Sequence, residues 1–379
     1  MTRIKKIGIR GIRMSFVDSD YNYMFYQCPK CKKIWQYPIK NCPECFLELK
    51  RINPPAGGQK AKVIGVSKVN IPSFVHPKAP YFTLILEDEK GNRWVQKSIK
   101  EYKIGDVIEY KSIQDKNTVA IWRIKYDILE GIEKVIKLLG GLKIKPETKI
   151  LILPALTFSK HPYFAENTTP QFLENLIRYL LQSGGKTENV KVAGQSFDEI
   201  PIEAIAQKSQ LLRVCQNFKI LPLDLAKSNF VKKSINNFNF EVSEELFNSD
   251  LIINLPILKM GKEEASENIL KVLKKENYLG LKYLFSKEEI KENLNKALRS
   301  NLNTLSNYLT IADAEVVQKP DKFTTFLGLI LASFNSFNLD RVFAEISMIK
   351  DLPECLKNVK IKDIPIAGRQ IEEVQLTFY

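Results

Sequence analysis

The stretch KILILP at residues 149–154 is followed by TTPQFLENLIRYLLQSGG at 168–185 and NVKVAGQS at 189–196, and this order decides the fold of the larger part of the chain. The first and third segments are short apolar runs typical of buried strands. The middle segment has helical spacing, begins at Thr168-Thr169-Pro170 and ends at Gly184-Gly185. Strand, helix and strand in succession predict a mostly parallel sheet flanked by helices.

The same alternation continues toward the C-terminus. A helix is predicted over 200–218, a strand over 219–225, a helix over 244–249 and the strand DLIINLP over 250–256. We therefore predict an α/β domain over residues 145–379. Because such sheets bind ligands at the carboxyl ends of their strands, we expect loops 154–160, 194–196 and 254–261 on one ligand-binding edge. The charged segment 262–309 predicts helices outside the sheet or a cover over this edge.

Four of the six cysteines form two Cys-x-x-Cys turns, Cys28–Cys31 and Cys42–Cys45. Each turn can direct two thiolates at one ion, and two turns complete the tetrahedral sulfur shell that suits Zn²⁺. Four protein ligands leave no open position, so the ion would be structural. The pattern predicts a rubredoxin-like zinc ribbon over residues 22–50 with one zinc ion. A redox dithiol pair or a rubredoxin-like iron centre are the alternatives.

Residues 60–125 contain about five short runs of alternating or β-branched residues, which predict an OB-type β-barrel over residues 58–125. Pro54–Gly58 reads as the linker from the ribbon. OB-type barrels bind extended anionic ligands through basic and aromatic side chains. Lys97, Trp94 and Tyr81 are the candidate ligand-binding residues here, and ordinary strand positions are the alternative for each.

The charge of the chain is concentrated in its first third. Residues 1–126 hold 24 Lys and Arg against 11 Asp and Glu, so they carry +13 of the net charge of +14. This asymmetry favours an N-terminal module that faces a polyanion, with a basic surface kept for solubility as the alternative. We find neither an apolar run of membrane-spanning length nor a signal peptide, so we expect a soluble, cytoplasmic protein with no membrane partner.

The N-terminal third resembles the acyl-CoA-associated zinc-ribbon/OB-fold family, domain of unknown function 35, over roughly residues 22–125. The residues that carry the resemblance are Cys28, Cys31, Cys42, Cys45, Pro72, Phe74, Pro80, Tyr81, Ile104, Gly105 and Asp106. The resemblance implies an accessory subunit beside a thiolase-like or other acyl-CoA enzyme. It also implies that the module holds a CoA thioester, a polyanion that suits its basic charge.

The rest of the chain resembles domain of unknown function 362 over about residues 145–375. The resemblance rests on ILILPAL at 150–156, Thr168-Thr169-Pro170 and above all DLIINLPILK at 250–259. It implies an α/β protein without a settled reaction. This chain departs from the family pattern at Leu153-Pro154-Ala155 and at Lys259-Met260-Gly261, where the family usually carries Lys-Pro-Asn and Lys-Thr-His.

Three residues of the predicted ligand-binding edge are polar candidates: Asn254, Lys259 and His161. A strand-end amide, a solvated lysine and a structural loop histidine are their alternatives. The first functional hypothesis is a zinc-binding accessory or scaffold protein whose basic module binds an anionic ligand, by resemblance an acyl-CoA thioester. An enzyme of unknown reaction in the α/β domain is the second hypothesis. An RNA- or single-strand nucleic-acid-binding protein is the third.

Overall fold

The computed structural model describes residues 25–35, 39–52, 60–72, 79–89, 91, 93–124, 127–196, 200–301 and 308–375, and these residues form three small antiparallel sheets and one large mixed sheet. The predicted linker Pro54–Gly58 and Phe74, one of the residues that carry the N-terminal resemblance, lie outside these residues. The first sheet carries the cysteine turns. Its strands pair in the order β2-β1-β3 and are β1 (Phe25–Gln27), β2 (Ile34–Trp35) and β3 (Lys50–Ile52).

The second sheet is antiparallel and four-stranded in the described part of the chain, with the order β6-β5-β4-β7. Its strands are β4 (Lys60–Val69), β5 (Tyr81–Asp88), β6 (Arg93–Ser98) and β7 (Val107–Glu109). Alternate residues of β5 and β6 face opposite sides, as a pleated strand requires. The inner face packs on the large domain, since Val63, Leu84 and Leu86 belong to the same apolar core as Trp122 and Ile132.

The remaining strands follow in the α/β part of the chain. They are β8 (Val119–Arg123), β9 (Ile150–Pro154), β10 (Val190–Gly194), β11 (Pro222–Asp224), β12 (Phe230–Ile235), β13 (Phe238–Ser243), β14 (Leu251–Leu255), β15 (Ile257–Lys259), β16 (Tyr308–Gln318), β17 (Thr324–Ser333) and β18 (Ile366–Gly368). β12 and β13 form a separate hairpin. Among the described residues, the other nine strands form one sheet in the order β11-β10-β9-β14-β16-β17-β8-β18, with β15 paired to β16.

The large sheet is mixed rather than purely parallel. From β11 to β16 every neighbouring pair is parallel, whereas β16–β17 and β17–β8 are antiparallel. β8 was predicted as part of the barrel, and that placement is wrong. Val119–Trp122 are all buried, without the alternation of a half-exposed strand. Such an all-apolar run fits the interior of a sheet covered on both faces, which is where β8 lies between β17 and β18.

Helices cover both faces of the large sheet. They are α1 (Ile128–Leu138), α2 (Pro170–Gln182), α3 (Ile202–Lys208), α4 (Leu211–Asn217), α5 (Glu264–Glu267), α6 (Lys275–Leu284), α7 (Lys287–Asn301), α8 (Ser336–Ile346), α9 (Glu354–Lys357) and α10 (Ile371–Val374). Ile150 and Ile152 of β9 pack into the core under α1 and α2, while Leu151 and Leu153 pack into the core on the opposite face. The single helix predicted over 200–218 is two helices, because Gln210 adopts a left-handed backbone (φ +64°) between them. Among the described residues, none of the helices is both long and apolar enough to span a bilayer.

Gly368 in β18 permits a close approach of this strand to the sheet. Its φ is +88°, and a Cβ placed there would lie 2.4 Å from the Ile121 carbonyl oxygen and 2.7 Å from Leu138 Cδ1. We expect Gly368→Ala to lower the free energy of unfolding by about 3 kcal/mol, because the strained backbone and the clash add together. Denaturant unfolding monitored by circular dichroism measures this loss.

Gly141→Ala is the matched control for Gly368→Ala. Gly141 also has a positive φ (+85°), but a Cβ there would meet nothing within 4 Å. Only the backbone strain remains, so we expect a loss of about 1 kcal/mol. Equal losses in the two variants would contradict the steric explanation.

Candidate functional site

The two cysteine turns fold in the same way, residue for residue. In the first, Lys32 N–H donates to the Cys28 carbonyl oxygen (3.1 Å) and Cys28 N–H donates to the Lys33 carbonyl oxygen (3.0 Å). In the second, Phe46 N–H donates to Cys42 O (2.8 Å) and Cys42 N–H to Leu47 O (2.8 Å). Lys32 and Phe46, each placed directly after the second cysteine of its turn, both adopt a left-handed backbone. The repeated geometry turns each pair of sulfur atoms toward the other pair.

The four sulfur atoms of Cys28, Cys31, Cys42 and Cys45 lie within 4.8 Å of one another. Cys31 Sγ and Cys42 Sγ are 3.7 Å apart. A tetrahedral ion with metal–sulfur bonds of about 2.3 Å requires sulfur atoms about 3.8 Å apart, so this spacing fits a metal centre. Cys28 and Cys42 are buried, which shields such a centre from solvent. The predicted ligand set is therefore brought together, and the cluster can hold one metal ion.

The pKa of the thiol differs from one cysteine of the cluster to the next. Burial alone would raise the pKa of the Cys28 thiol, but backbone N–H groups of Cys31 and Lys30 donate to its sulfur and bring the pKa down to about 7. Burial and the neighbouring sulfurs raise the pKa of Cys45 to about 12. A bound cation would favour the thiolate form of all four, as metal ligation requires.

Two of the three candidates in the second sheet share its outer face. The Lys97 amine lies 5.0 Å from the centroid of the Tyr81 ring. Ile85, Val95 and Val107 are exposed on the same face by 44%, 65% and 58%. Trp94 faces the other way and packs against the apolar core, because successive strand residues point to opposite sides. Lys97 and Tyr81 therefore lie beside an apolar strip, whereas Trp94 is part of the core.

A buried ionic cluster lies at the carboxyl ends of the parallel strands. Lys259 at the end of β15 is 4% exposed, and its amine is 3.1 Å from Glu166 Oε2 and 3.2 Å from Glu264 Oε1. Glu166 follows the loop after β9, and its Oε1 also accepts from Gln318 Nε2 (3.2 Å) and Lys160 Nζ (3.3 Å). Lys259 thus joins the β9 loop to α5.

The pKa shifts of this cluster follow from burial and charge. Burial would lower the pKa of Lys259, but the carboxylates of Glu264 and Glu166 outweigh it and raise the pKa. For Glu166, burial would raise the pKa, but the Lys259 charge and the hydrogen bonds from Gln318, Lys259 and Lys160 together lower it. Burial raises the pKa of Glu264 despite the same lysine. Lys259 is therefore held as a cation, which leaves no free amine at this position.

Asn254 and His161 have structural partners. The Asn254 amide donates to Ala265 O (2.8 Å) and Thr310 Oγ1 (3.2 Å), and its oxygen accepts from Asn268 Nδ2 (2.8 Å). His161 is exposed, and its Nδ1 accepts from Tyr163 N–H (3.2 Å), which caps the short 3₁₀ helix Pro162–Phe164. Its Nε2 lies 2.9 Å from Gln210 Nε2. His161 therefore fixes its own loop, and Asn254 joins β14 to α5, to the segment that follows it and to β16.

Two buried aspartates accept hydrogen bonds from the first residues of helices near the same edge. Thr169 N–H and Oγ1 donate to Asp313 Oδ2 (3.2 and 2.7 Å) at the start of α2. Thr169 lies at the predicted N-cap, but its hydroxyl serves Asp313 rather than the helix backbone. Asp340 accepts from the N–H groups of Ala265 and Ser266 at the start of α5. Burial raises the pKa of both carboxyls, to about 7 for Asp340.

Sequence reasoning missed Lys271, which the edge brings close to Thr157. The Lys271 amine donates to Thr157 Oγ1 (2.7 Å). Gln195, directly after β10, donates from Nε2 to the carbonyl oxygens of Lys271 (2.9 Å) and Leu273 (2.6 Å). Lys271 belongs to the charged segment 262–309, for which a cover over this edge was one of two predictions. Nothing in that segment's composition distinguishes Lys271 from the other lysines around it.

A separate cleft of about 340 Å³ lies at the opposite edge, near the amino ends of β9, β10 and β14. Its lining is polar and comprises Lys149, Glu188, Asn189, Lys191, Asn248 and Ser249, with Ile150. Lys191 is already paired with Glu245 (2.7 Å). The polar groups of the Lys259 cluster do not line this cleft.

Replacing Lys259 with methionine should destabilise the fold. Removing the cation leaves the Glu166 and Glu264 carboxylates facing each other in a buried site, so we expect a loss of about 3–5 kcal/mol in the free energy of unfolding. Lys160→Met is the matched control, since Lys160 contacts the same Glu166 with a side chain that is 48% exposed. That variant should lose about 1 kcal/mol or less. Equal losses by denaturant titration would mean that burial of the pair is unimportant.

Comparisons with known proteins address each part of the chain separately. No curated protein matches the sequence. One solved structure, titled "Ltp2-ChsH2(DUF35) aldolase", is 21% identical and matches 26% of this chain and 81% of that chain, with a TM-score of 0.20. The lactate racemase apoprotein from Thermoanaerobacterium thermosaccharolyticum is 10% identical and matches 61% of this chain and 57% of that chain, with a TM-score of 0.37. Both scores are too low for the likeness to indicate a fold or a function.

The comparison with protein-family models gives a stronger result. In the α/β part, a family model described as "Domain of unknown function (DUF362)" matches residues 150–345, which are just over half of the chain. The matched range includes strands β9 to β17, Lys259 and Lys271. The chain therefore belongs to the DUF362 family.

Proposed function

We propose that this protein is a zinc-binding accessory protein whose N-terminal part binds an anionic ligand, an acyl-CoA thioester. The single observation that carries the proposal is the packing of four cysteine sulfurs within 4.8 Å of one another on two matching turns. Zinc is the metal that this donor set favours, and four sulfurs make its role structural. The ion would fix the first sheet, which has a core of only a few residues, as part of a zinc ribbon.

The outer face of the second sheet supports the ligand half of the proposal. The Lys97 amine lies over the Tyr81 ring. Lys62 on strand β4 is exposed, and it pairs in register with Glu87 of β5 and Val107 of β7. Ile85 and Val95, which pair with each other on β5 and β6, are exposed on this face, and Val107 on β7 is exposed beyond Lys62. An acyl-CoA thioester combines phosphates with a long, less polar arm, so such a ligand matches both components of the surface. An OB-type barrel is the architecture that would present this face.

The α/β domain is the platform in this proposal. Arg369 Nη2 donates to the Lys97 carbonyl oxygen (3.0 Å), and Arg369 Nε is held by Glu373 (2.8 Å). The edge strand β6 is thereby fastened to the C-terminal part of the large domain. A ligand bound near Lys97 would thus lie at a fixed position relative to the α/β domain. A thiolase-like or other acyl-CoA enzyme is the proposed partner.

The metal can be tested on the full-length protein. We expect one zinc ion per chain by inductively coupled plasma mass spectrometry, and Cys42→Ser should lose it because three sulfurs bind zinc less tightly than four. Loss of the ion should also raise hydrogen–deuterium exchange across residues 25–52, whose folding depends on it. Cys215→Ser is the control, since Cys215 is buried in the core of the α/β domain. Stoichiometric iron, or a metal-free protein with cysteine disulfides, would overturn the zinc assignment.

The ligand can be tested by titration calorimetry with acetyl-CoA. We expect Lys97→Glu to weaken binding at least tenfold, because it places a negative charge where the phosphates bind; tenfold corresponds to about 1.4 kcal/mol. Lys232→Glu makes the same change of net charge on the distant hairpin, where the side chain is 86% exposed, and should leave affinity unchanged.

The same assay with a single-stranded oligonucleotide tests the alternative hypothesis, nucleic-acid binding. Nucleic-acid binding would show an affinity that falls steeply with the logarithm of salt concentration, with a slope set by several phosphate contacts. Tight, salt-steep binding of the oligonucleotide without any binding of acetyl-CoA would replace the acyl-CoA proposal by nucleic-acid recognition.

A further inference from the structure

Lys271 is half-buried near the carboxyl ends of the parallel strands, and it differs from the buried lysines Lys259 and Lys291 in its partners. Lys259 contacts two carboxylates and Lys291 contacts Glu263, so each is neutralised by an acidic partner. Within the described part of the chain, no carboxylate lies within salt-bridge distance of Lys271 Nζ, and its hydrogen-bond partner is the Thr157 hydroxyl. An amine that donates to a neutral hydroxyl gains less from being charged than one that faces a carboxylate.

The position of Lys271 is fixed by its backbone rather than by its amine. Lys271 lies in the 3₁₀ segment Asn268–Val272, which crosses the carboxyl ends of β9 and β14. Asn268 Nδ2 donates to Leu153 O (2.9 Å), and Gln195 Nε2 donates to Lys271 O (2.9 Å). The amine is thereby held at the edge where ligands of parallel sheets bind, while its only hydrogen bond to a described side chain is the one to Thr157.

Gln195, which contacts the 3₁₀ segment Asn268–Val272, has a side-chain oxygen that no described residue uses as a hydrogen-bond acceptor. Gln195 is 1% exposed, and its amide nitrogen is fully engaged by the carbonyl oxygens of Lys271 and Leu273. The amide oxygen has no hydrogen-bond donor among the described residues. A buried acceptor left in this state is costly, which favours a ligand hydroxyl or a water molecule as its partner. Thr157 is half-buried and Phe158 is 38% exposed, so the amine is within reach from solvent.

Burial and charge together leave the amine partly unprotonated. Burial lowers the pKa of Lys271 to about 8; Glu264 and Glu267 oppose this shift, and the Lys259 cation assists it. Lys259 lies on β15, and Glu264 and Glu267 both lie on α5. Lysines that are desolvated and lie near another cation are the ones proteins use as nucleophiles.

The geometry points to Lys271 as a carbonyl-reactive amine that binds a small aldehyde or ketone as an imine at the carboxyl edge of the sheet. The neutral amine adds to the carbonyl carbon and forms the C–N bond, while the carbonyl oxygen takes up one amine proton. Loss of water then breaks the C–O bond, takes the second amine proton and leaves the C=N bond. No oxidant or reductant is required. The hydrogen bond to Thr157 Oγ1 holds the amine in place for this addition.

Reductive trapping of the full-length protein tests this assignment. The probe is glyoxylate with sodium cyanoborohydride, and the readout is peptide mass spectrometry after a short reaction at pH 7. An amine with a pKa near 8 is on the order of 100 times more deprotonated at pH 7 than an ordinary lysine. Allowing for restricted access, we expect the Lys271 peptide to carry at least ten times more label than the exposed Lys262 peptide. Its advantage should shrink as pH rises toward 10, because exposed lysines then also lose their protons.

Saturation separates a binding site from a merely reactive side chain. Labelling of Lys271 should level off with glyoxylate concentration, and the early label should disappear in Lys271→Arg, which keeps the cation but forms no stable imine. Lys262→Arg is the matched control and should keep the label on Lys271. Circular dichroism verifies that both variants fold. Equal labelling of Lys271 and Lys262, or labelling of Lys271 that rises linearly without saturation, would overturn the assignment. Neither result depends on zinc or acyl-CoA binding.

Discussion

The ion pairs of Lys259 constrain the edge of the large sheet at which the parallel strands end. A cation that is 4% exposed is tolerated in a protein interior only when opposite charges and hydrogen bonds surround it. Its two carboxylate partners come from different places: Glu166 from the loop between β9 and α2, and Glu264 from the first turn of α5. The loop, the strand end and the helix therefore cannot move independently. The positions of Thr157, Gln195 and Lys271 depend on this fixed frame.

Sequence patterns predicted much of this architecture because they rest on local physics. Alternating strands and helices over residues 149–256 gave the parallel part of the sheet, since apolar runs such as Ile150–Leu153 have to be buried on both faces. The cysteine spacing predicted the four-sulfur cluster that could hold a metal ion, since the geometry of each turn is set within a few residues. The three loops expected on one edge do meet there, because the carboxyl ends of β9, β10 and β14 are aligned in register.

The features that the sequence could not reveal depend on contacts between distant segments. Lys271 and Thr157 are far apart along the chain, and neither belongs to a motif. The β12–β13 hairpin was not predicted, because its alternation is mixed with the polar residues of an exposed strand. Trp94 was a ligand candidate by residue type, and only the pleat of β6 decides that its indole packs against the core. The type of a residue limits the contacts that its side chain can make. Which of these contacts it makes depends on the strand or helix that packs against it.

The pairing of β8 with β18 has a consequence for how the protein is made. Val119 pairs with Ile366, so two adjacent strands of one sheet are separated by about 250 residues of chain. Contacts of such long sequence separation form late and slow folding, because the loop between them has to be ordered first. During synthesis, the all-apolar strand β8 leaves the ribosome long before its neighbours β17 and β18 exist. Until β17 and β18 have been synthesised, β8 has neither of its neighbours, and an unpaired apolar strand of this kind is prone to aggregate.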